Sequence, residues 1–166
     1  MLVGITGKKR AGKDTAGRYI AATQELFIDS FAAPIRRFMC DILQCTLDQL
    51  ERIKEDPHPI LEGRTPREFM QYVGTEIARQ FTPNIWVNAL DARLKGETVI
   101  TDLRFDNEAA YVQNRGGMVI QIERPGTAGD DAHASERGVS PSLVDIKIKN
   151  DGTVHDLQRQ LDQLFP

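Results

Sequence analysis

The chain has 166 residues, of which 40% are hydrophobic and 27% are charged. These values are typical of one globular domain with a packed core, and they exclude a disordered, fibrous or collagen-like chain. The formal net charge of -3 argues against a protein whose main task is to coat nucleic-acid phosphates. We therefore expect no stable complex with nucleic acid.

The chain begins with a short apolar stretch and contains two cysteines. Residues 1–6 are followed closely by Lys8 and Lys9, so the stretch is too short for a signal-peptide core or a membrane span. We expect a cytoplasmic protein without membrane attachment. Cys40 and Cys45 are five residues apart, which points away from a common helical face and offers no zinc site. Both are expected to be reduced and half-buried.

The first half of the chain alternates between short apolar runs and helical patterns. Residues 2–6 and 26–28 are predicted strands, and residues 12–23 are a predicted helix. From Pro34 onward, apolar residues recur at helical spacing as far as Leu43 and predict an amphipathic helix. Prolines and a glycine among charged residues predict a loop over 54–66, followed by a helix over 66–81.

The second half of the chain continues this alternation. Helices are predicted over 85–94, 107–115 and 154–164, and strands over 98–101, 118–122 and 145–148. A polar stretch over 124–142 is expected to be either disordered or a moving lid loop. The alternation predicts an α/β protein of three layers, in which a mostly parallel sheet lies between helices.

A phosphate-binding loop separates the first predicted strand from the first predicted helix. Residues 7–13 read GKKRAGK and match the pattern G-x-x-x-x-G-K in that position. The glycines let backbone N–H groups point at phosphates, and the helix N-terminus adds partial positive charge. Lys13 is predicted to bind the β- and γ-phosphates of ATP as a catalytic residue. The ATP-binding residues predicted here are Gly7, Lys8, Arg10, Ala11, Gly12, Lys13, Asp14 and Thr15.

The residue after Lys13 departs from the usual loop, which has Ser or Thr there to bind Mg²⁺. This chain has Asp14 instead, and the hydroxyl follows one residue later at Thr15. A carboxylate is a hard oxygen ligand, so Asp14 is predicted to hold Mg²⁺ directly or through water. Thr15 is then expected to bond the α-phosphate.

A second part of the site is predicted where the strand over 98–101 ends. Asp102 lies at the sheet edge where doubly wound folds bind their ligands, and it is a candidate ligand of Mg²⁺ or of the acceptor. The alternative is an N-cap of the following helix. Arg104 is predicted to neutralise charge on the transferring phosphoryl group, and Arg124 has the same predicted role.

The helix predicted over 66–81 carries polar side chains at three- and four-residue spacing. It is either a solvated face or an acceptor pocket, in which Arg64 or Arg67 binds a phosphate and Gln71 reads a base edge. For Trp86, core packing is favoured over base stacking. The acceptor-binding candidates are Arg64, Arg67, Gln71, Thr75, Glu76, Arg79, Trp86, Asp102 and Arg104.

The lid loop contains a charged group that is predicted to close over ATP and exclude water. Because phosphoryl transfer to a phosphate needs no base, a general-base role for the histidine of this group is disfavoured. The lid candidates are Arg124, His133, Ser135, Glu136 and Arg137.

Several motifs, taken in order along the chain, resemble those of the phage-type deoxynucleoside monophosphate kinases of the P-loop kinase superfamily. The Gly-Lys-Asp-Thr ending of the loop is similar also to that of animal phosphomevalonate kinases. The motifs are GKKRAGKDT at 7–15, SFAAP at 30–34, QYVGTEIAR at 71–79, TDLRFDNE at 101–108, the stretch 123–136, and NDGT at 150–153.

The resemblance implies an adenylate-kinase-like fold, transfer of the γ-phosphoryl group of ATP to a deoxynucleoside monophosphate, and dependence on Mg²⁺. It also implies that Asn150, Asp151 and Gly152 lie against adenine. We expect one domain over 1–166, with an acceptor-binding insertion at about 34–95. For a bacteriophage protein the compartment is the host cytoplasm.

Two alternatives to this activity remain open from the sequence. One is a kinase of another phosphorylated acceptor, such as dephospho-coenzyme A or phosphomevalonate. The other is a nucleotide-binding switch or ATPase that acts through a partner. The expected partners are small nucleotides, and the oligomeric state, including a homodimer, also stays open.

Overall fold

The computed structural model describes residues 1–127 and 137–165, and its centre is a five-stranded sheet. The strands lie in the order β2-β3-β1-β4-β5, and all four neighbouring pairs are parallel. The predicted α/β class with a parallel sheet is therefore confirmed. The strands are β1 Leu2–Thr6, β2 Phe27–Asp29, β3 Thr98–Leu103, β4 Met118–Glu123 and β5 Ile146–Lys149.

The central strand β1 is buried along its whole length because helices cover both faces of the sheet. On one face, Val3 and Ile5 pack in a core that also contains side chains of α1 (Lys13–Thr23) and α8 (Val154–Asp162). On the other face, Gly4 makes room for Leu103 and for Val112 of α7 (Asp106–Asn114). A Cβ at Gly4 would lie 2.9 Å from both Leu103 methyl groups and 3.2 Å from Cγ2 of Val112, so glycine at this position lets α7 pack closely on the sheet.

The chain divides into two compact units. The sheet unit consists of Met1–Phe31 and the described residues from Leu90 onward, and the helical unit consists of Ala32–Ala89. The helical unit overlaps the insertion predicted at about 34–95. Its helices are α2 Ala33–Leu43, α3 Leu47–Ile53, a 3-10 turn Pro59–Leu61, α4 Pro66–Gln71, α5 Ala78–Phe81 and α6 Ile85–Asp91, the last of which crosses the boundary.

The helix predicted over 66–81 is interrupted. Between α4 and α5 the chain widens into a π-helical segment, Tyr72–Ile77, where hydrogen bonds span five residues. The carbonyl of Gly74 accepts a hydrogen bond of 2.7 Å from the indole Nε1 of Trp86. The π segment thus offers a carbonyl to a side chain outside its own helix, which a regular 3.6-residue pattern does not predict.

Helix α3 was not predicted, although its start carries a clear signal. The side chain of Thr46 accepts from the Gln49 amide at 3.2 Å, and the Gln49 side chain accepts from the Thr46 amide at 2.8 Å. This reciprocal capping box satisfies backbone N–H groups that the first helical turn leaves without partners. Leu50 then anchors the helix in the core of the helical unit.

The two cysteines lie closer together than their spacing suggested. Helix α2 ends when Gln44 adopts a left-handed conformation with φ of 50°, and the chain turns back. The amide of Cys45 then donates to the carbonyl of Cys40 at 3.1 Å, and both side chains belong to the same small core. Both are free, Cys40 buried and Cys45 half-buried.

Among residues 1–127 and 137–165, no helix has the length and apolar character required to cross a membrane.

Substitution of Gly17 tests the packing of α1 on β3. Gly17→Ala is expected to destabilise the protein by about 1–3 kcal/mol, because the new Cβ would lie 2.4 Å from Cγ2 of Thr101. Gly74→Ala is the matched control, since nothing lies within 4 Å of its Cβ position, and it should be neutral or slightly stabilising. Urea unfolding measures both. Adding Thr101→Ser, which removes Cγ2, should recover most of the loss, and a Gly17→Ala variant as stable as the wild type contradicts the packing.

Candidate active site

The phosphate-binding loop connects β1 to α1 along a backbone path that requires glycine at two positions. Gly7 has φ of 144° and Gly12 has φ of 105°, both in a region that other residues seldom adopt. A Cβ on Gly7 would lie 2.4 Å from the carbonyl oxygen of Ile122. The loop therefore follows the neighbouring strand β4 at a distance that only glycine permits.

Lys13 is the first residue of α1, and its side chain lies back across the loop. Its Nζ donates to the carbonyl oxygens of Gly7 and Lys8 at 2.7 and 2.8 Å. The amide of Ala11 also donates to the Lys8 carbonyl, at 3.1 Å. The ammonium group thus lies within the curve of the loop, as the predicted role in phosphate binding requires.

Asn150 holds the phosphate-binding loop through its side chain. Its side chain is buried, and Nδ2 donates to the carbonyl of Ala11 at 2.8 Å. Its own amide donates to the carbonyl of Glu123 at 2.7 Å, which holds the residue at the end of β4. A Cβ on Gly12 would lie 2.5 Å from Asn150 Nδ2, so this contact is another reason for glycine at that position.

This placement gives Asn150 a structural role that the sequence did not predict. Its side-chain amide donates to the loop, a contact that the resemblance did not imply. Asp151 is exposed and pairs with Lys149 at 2.7 Å, and this pairing lowers the pKa of the Asp151 carboxyl. Contact of Asn150, Asp151 and Gly152 with adenine stays a prediction.

Asp102, near the carboxyl end of β3, connects two strands of the sheet unit. Its Oδ1 accepts from the amide of Phe31 at 2.8 Å, which fixes the chain just after β2. Two residues before Phe31, Asp29 accepts from Nε and Nη2 of Arg93 at 3.0 and 3.2 Å. Arg93 also donates to the Ser30 carbonyl. The SFAAP motif therefore begins on a segment that is held by two carboxylates.

The start of α7 is capped by a buried acid. Glu108 is 2% exposed, and its Oε2 accepts from the amides of Arg104 and Phe105 at 2.8 and 3.2 Å. A carboxylate at a helix N-terminus also interacts favourably with the helix dipole. Glu108 thereby fixes the backbone from which the Arg104 side chain extends. The Glu three residues after the N-cap position was the signal for this cap.

A cavity of about 60 Å³ lies beside the phosphate-binding loop. Among the described residues that line it, three are cationic and none carries a carboxylate. Such a lining favours an anion. The cationic residues are Lys8, Arg104 and Arg137, and Thr6, Gly7 and Gln121 also line the cavity.

Arg124 lies in the sheet unit, just after β4. It is exposed and lines a second cavity of about 250 Å³ together with Lys8 and Thr127. The hydroxyl of Thr127 donates to the Arg124 carbonyl at 2.6 Å. Lys8 is therefore shared by the two cavities, one of which contains Arg104 and the other Arg124.

The predicted acceptor residues of the helical unit differ in their surroundings. Arg64 is exposed and lines a groove of about 290 Å³ with Phe69 and Tyr72. Arg67 is largely buried and pairs with Glu55 at 3.3 Å. Half-buried positions on or beside the π segment, or in the helix that follows, are occupied by Gln71, Thr75, Glu76 and Arg79.

Comparison with known proteins identifies the family. A family model described as deoxynucleotide monophosphate kinase matches residues 44–161. A mimivirus protein named as a putative deoxynucleotide monophosphate kinase is 32% identical, over 97% of this chain and 94% of its own length. The chain belongs to the deoxynucleotide monophosphate kinase family. The resemblance stated from the sequence is confirmed, and the chain is a phosphotransferase.

Phage members of this kinase family are longer. The deoxynucleotide monophosphate kinase of Enterobacteria phage T4 is 33% identical over 55% of this chain and 41% of its own length. For the deoxynucleoside-5'-monophosphate kinase of Escherichia phage T5, the identity is 29%, over 52% of this chain and 39% of the relative. The chain thus matches less than half the length of these two relatives.

Solved structures of shikimate kinases share the fold of this family member. The enzyme from Aquifex aeolicus vf5 superimposes with a TM-score of 0.51 at 12% identity, over 99% of this chain and 96% of the other. The enzyme from Acinetobacter baumannii gives a TM-score of 0.52 at 14% identity, over 99% and 92%. At these identities the likeness concerns the fold alone, and it confirms the predicted kinase fold.

The residues predicted to hold Mg²⁺ fit a metal that keeps most of its ligands from substrate and water. Asp14 is exposed beside Lys13, and Asp102 is partly exposed in the sheet unit. No group of three or more metal-binding side chains occurs in the described part of the chain. Mg²⁺ commonly takes one or two carboxylates together with phosphate oxygens, so two separate aspartates are a suitable donor set for nucleotide-bound Mg²⁺.

Only some of the remaining predicted site residues lie in the described part of the chain. Of the lid candidates, Arg124 and Arg137 line the two cavities, whereas His133, Ser135 and Glu136 lie outside the described residues. Trp86 donates its indole N–H to Gly74, a contact within the helical unit that accords with packing. Base stacking by Trp86 stays a prediction.

The hydrogen bond from Asn150 to the Ala11 carbonyl, which braces the loop, can be tested by substitution. Asn150→Ala is expected to lower the free energy of unfolding by about 1–3 kcal/mol, because it removes the bond to Ala11 and leaves a poorly solvated carbonyl without its donor. The KM for ATP should rise as the loop loosens. Asp151→Ala, at the exposed neighbouring position, is the control and should change stability little. Equal effects of the two substitutions on unfolding would contradict the brace.

Proposed function

We propose that this kinase transfers the γ-phosphoryl group of ATP to the 5'-phosphate of a deoxynucleoside monophosphate. The observation that carries the proposal is the cavity beside the phosphate-binding loop, with Lys8, Arg104 and Arg137 in its lining and no carboxylate among the described lining residues. A cationic cavity next to a loop of this type suits the transferring phosphoryl group. The acceptor named for the mimivirus and phage relatives supports the choice of substrate.

The transfer is an in-line displacement that needs no covalent intermediate on the protein. An oxygen of the acceptor phosphate forms a bond to the γ-phosphorus, the bond from that phosphorus to the β–γ bridging oxygen breaks, and ADP leaves with the electron pair. When ATP binds, the ammonium group of Lys13 leaves the carbonyl oxygens of Gly7 and Lys8 and donates to the β- and γ-phosphates instead. Arg104 and Arg124 neutralise charge on the equatorial oxygens.

Asp14 and Asp102 would hold the metal that accompanies ATP. Bound Mg²⁺ supplies charge neutralisation on the β- and γ-phosphates. Thr15, exposed in the first turn of α1, is available to bond the α-phosphate. The carboxylate of Asp14 at a helix N-terminus is itself stabilised by the helix dipole, so its charge is tolerated without the metal.

The helical unit would bind the acceptor. Arg64 is exposed in a groove with Phe69 and Tyr72, whose aromatic side chains suit a base or sugar, and it is the cationic residue of a lining that also contains Glu62 and Glu68. Arg67, which pairs with Glu55, would support this site or bind the phosphate by exchanging partners. The remaining polar candidates for the base and sugar are Gln71, Thr75, Glu76 and Arg79.

An ADP-release assay with dAMP, dCMP, dGMP and dTMP tests the activity. At least one monophosphate should stimulate ADP formation, and Lys13→Ala should reduce kcat by at least about a hundredfold because the β- and γ-phosphates lose their lysine. Lys95→Ala, which removes an exposed lysine outside the loop, should retain wild-type activity. Slow ATP hydrolysis without stimulation by any monophosphate would support a switch or ATPase. Stimulation only by dephospho-coenzyme A or phosphomevalonate would support the other kinase alternatives.

Arg64→Ala separates acceptor binding from ATP binding. The KM for the deoxynucleoside monophosphate is expected to rise by about tenfold or more, because a charge-assisted contact to phosphate is lost, while the KM for ATP stays within about twofold. Arg52→Ala, at an exposed position in the last turn of α3, is the matched control and should change neither KM. A parallel rise in both KM values in Arg64→Ala would count against an acceptor role.

A further inference from the structure

A carboxylate at the start of α7 accepts hydrogen bonds from the last part of the polar stretch 124–142. Asp106 is the first residue of α7, and both of its oxygens accept from Ser140. Oδ1 accepts from the Ser140 amide at 2.8 Å and Oδ2 from the Ser140 hydroxyl at 2.6 Å. These bonds lower the pKa of the Asp106 carboxyl, which is therefore ionised at neutral pH.

The two ends of this contact lie next to two arginines of the cationic cavity. Arg104 precedes Asp106 by two residues, and Arg137 precedes Ser140 by three. Both arginines line the same cavity beside Gly7 and Lys8. A bond between residues 106 and 140 therefore limits how far the backbones that carry the two arginines can separate, since so few residues intervene on either side.

The same segment is attached again farther along. Nε2 of Gln113 donates to Asp145 Oδ1 at 3.0 Å and to the Leu143 carbonyl at 3.4 Å. The amide of Val119 donates to Asp145 Oδ2 at 2.8 Å. These contacts hold residues 143–145 against α7 and β4. Among the described residues, the pair formed by Asp106 and Ser140 is the attachment nearest in sequence to Arg137.

We propose that Asp106 and Ser140 form a clasp that positions Arg137 beside Arg104, so that the two guanidinium groups face the transferring phosphoryl group together. The inference rests on the proposed function, because it assigns Arg137 to the same phosphoryl transfer. Asp106 and Ser140 are positioning residues that act through Arg137. Two acids in the first turn of α7 then have different roles, since Glu108 accepts from the Arg104 amide and Asp106 holds Ser140, three residues after Arg137.

Kinetics of single and double variants test the clasp. Asp106→Ala is expected to lower kcat about tenfold, and Ser140→Ala, which keeps the amide bond, by about threefold. Asp106→Asn retains an acceptor oxygen and should recover part of the loss. In an Arg137→Ala background, Asp106→Ala should change kcat by less than about twofold, because the residue it positions is already absent. Equal losses in both backgrounds would overturn the proposal.

Gln113→Ala is the matched control, because it releases the same segment at the attachment farther along. It should leave kcat within about twofold of the wild type, and a tenfold loss would assign the effect to general attachment of the segment. Thermal unfolding establishes that each variant is folded at the assay temperature. If Asp106→Ala does not fold, Asp106→Asn and Ser140→Ala carry the test.

A measurement without turnover separates the clasp from the proposed function. The Ser140 amide should exchange slowly with solvent in the wild type and at least about tenfold faster in Asp106→Ala, as followed by NMR hydrogen exchange. Fast exchange in the wild type would overturn the clasp whatever the activity. Absence of stimulation by any monophosphate in the wild type, with the amide protected, would reject the proposed function and the role of Arg137 while leaving the contact itself intact.

Discussion

The path of the backbone between β1 and α1 is the constraint on which the site depends. Gly7 lies against the Ile122 carbonyl and Gly12 against the Asn150 side chain, so the loop is held by strand ends on one side of it. The bond from Asn150 to the Ala11 carbonyl then supports the loop at its middle. A loop held in this way binds phosphate without first losing conformational freedom, which is the advantage of preorganisation in phosphoryl transfer.

The basic and acidic side chains near the phosphate-binding loop have different surroundings. The cations Lys8, Arg104 and Arg137 line the cavity, whereas the acids of α7 face backbone and hydroxyl donors. Glu108 accepts from two backbone amides and Asp106 accepts from the amide and hydroxyl of Ser140, so both acids stabilise the backbone at the start of α7. The acidic side chains of α7 therefore act as structural supports, while the described lining of the 60 Å³ cavity contains cations and no carboxylate.

Much of this organisation was predictable because it depends on local patterns. The strand, glycine-rich loop and lysine predicted a phosphate site, and the capping pair Thr46 and Gln49 could have revealed α3. Other features were not predictable. The π segment within 66–81 has the composition of an ordinary helix, and Cys45 approaches Cys40 only because Gln44 adopts a left-handed conformation. Such deviations depend on contacts with residues that are distant in the sequence or on single backbone angles.

The sequence by itself determined the class of protein, the loop, the lysine and the order of the kinase motifs, since each is encoded in neighbouring residues. Only the tertiary structure decided which partners these residues have. Asn150 supports a loop 139 positions away, and Asp106 binds Ser140 across 34 positions. Strand order brings such distant residues together, because parallel strands collect at one edge the loops that follow them. No local pattern contains that information.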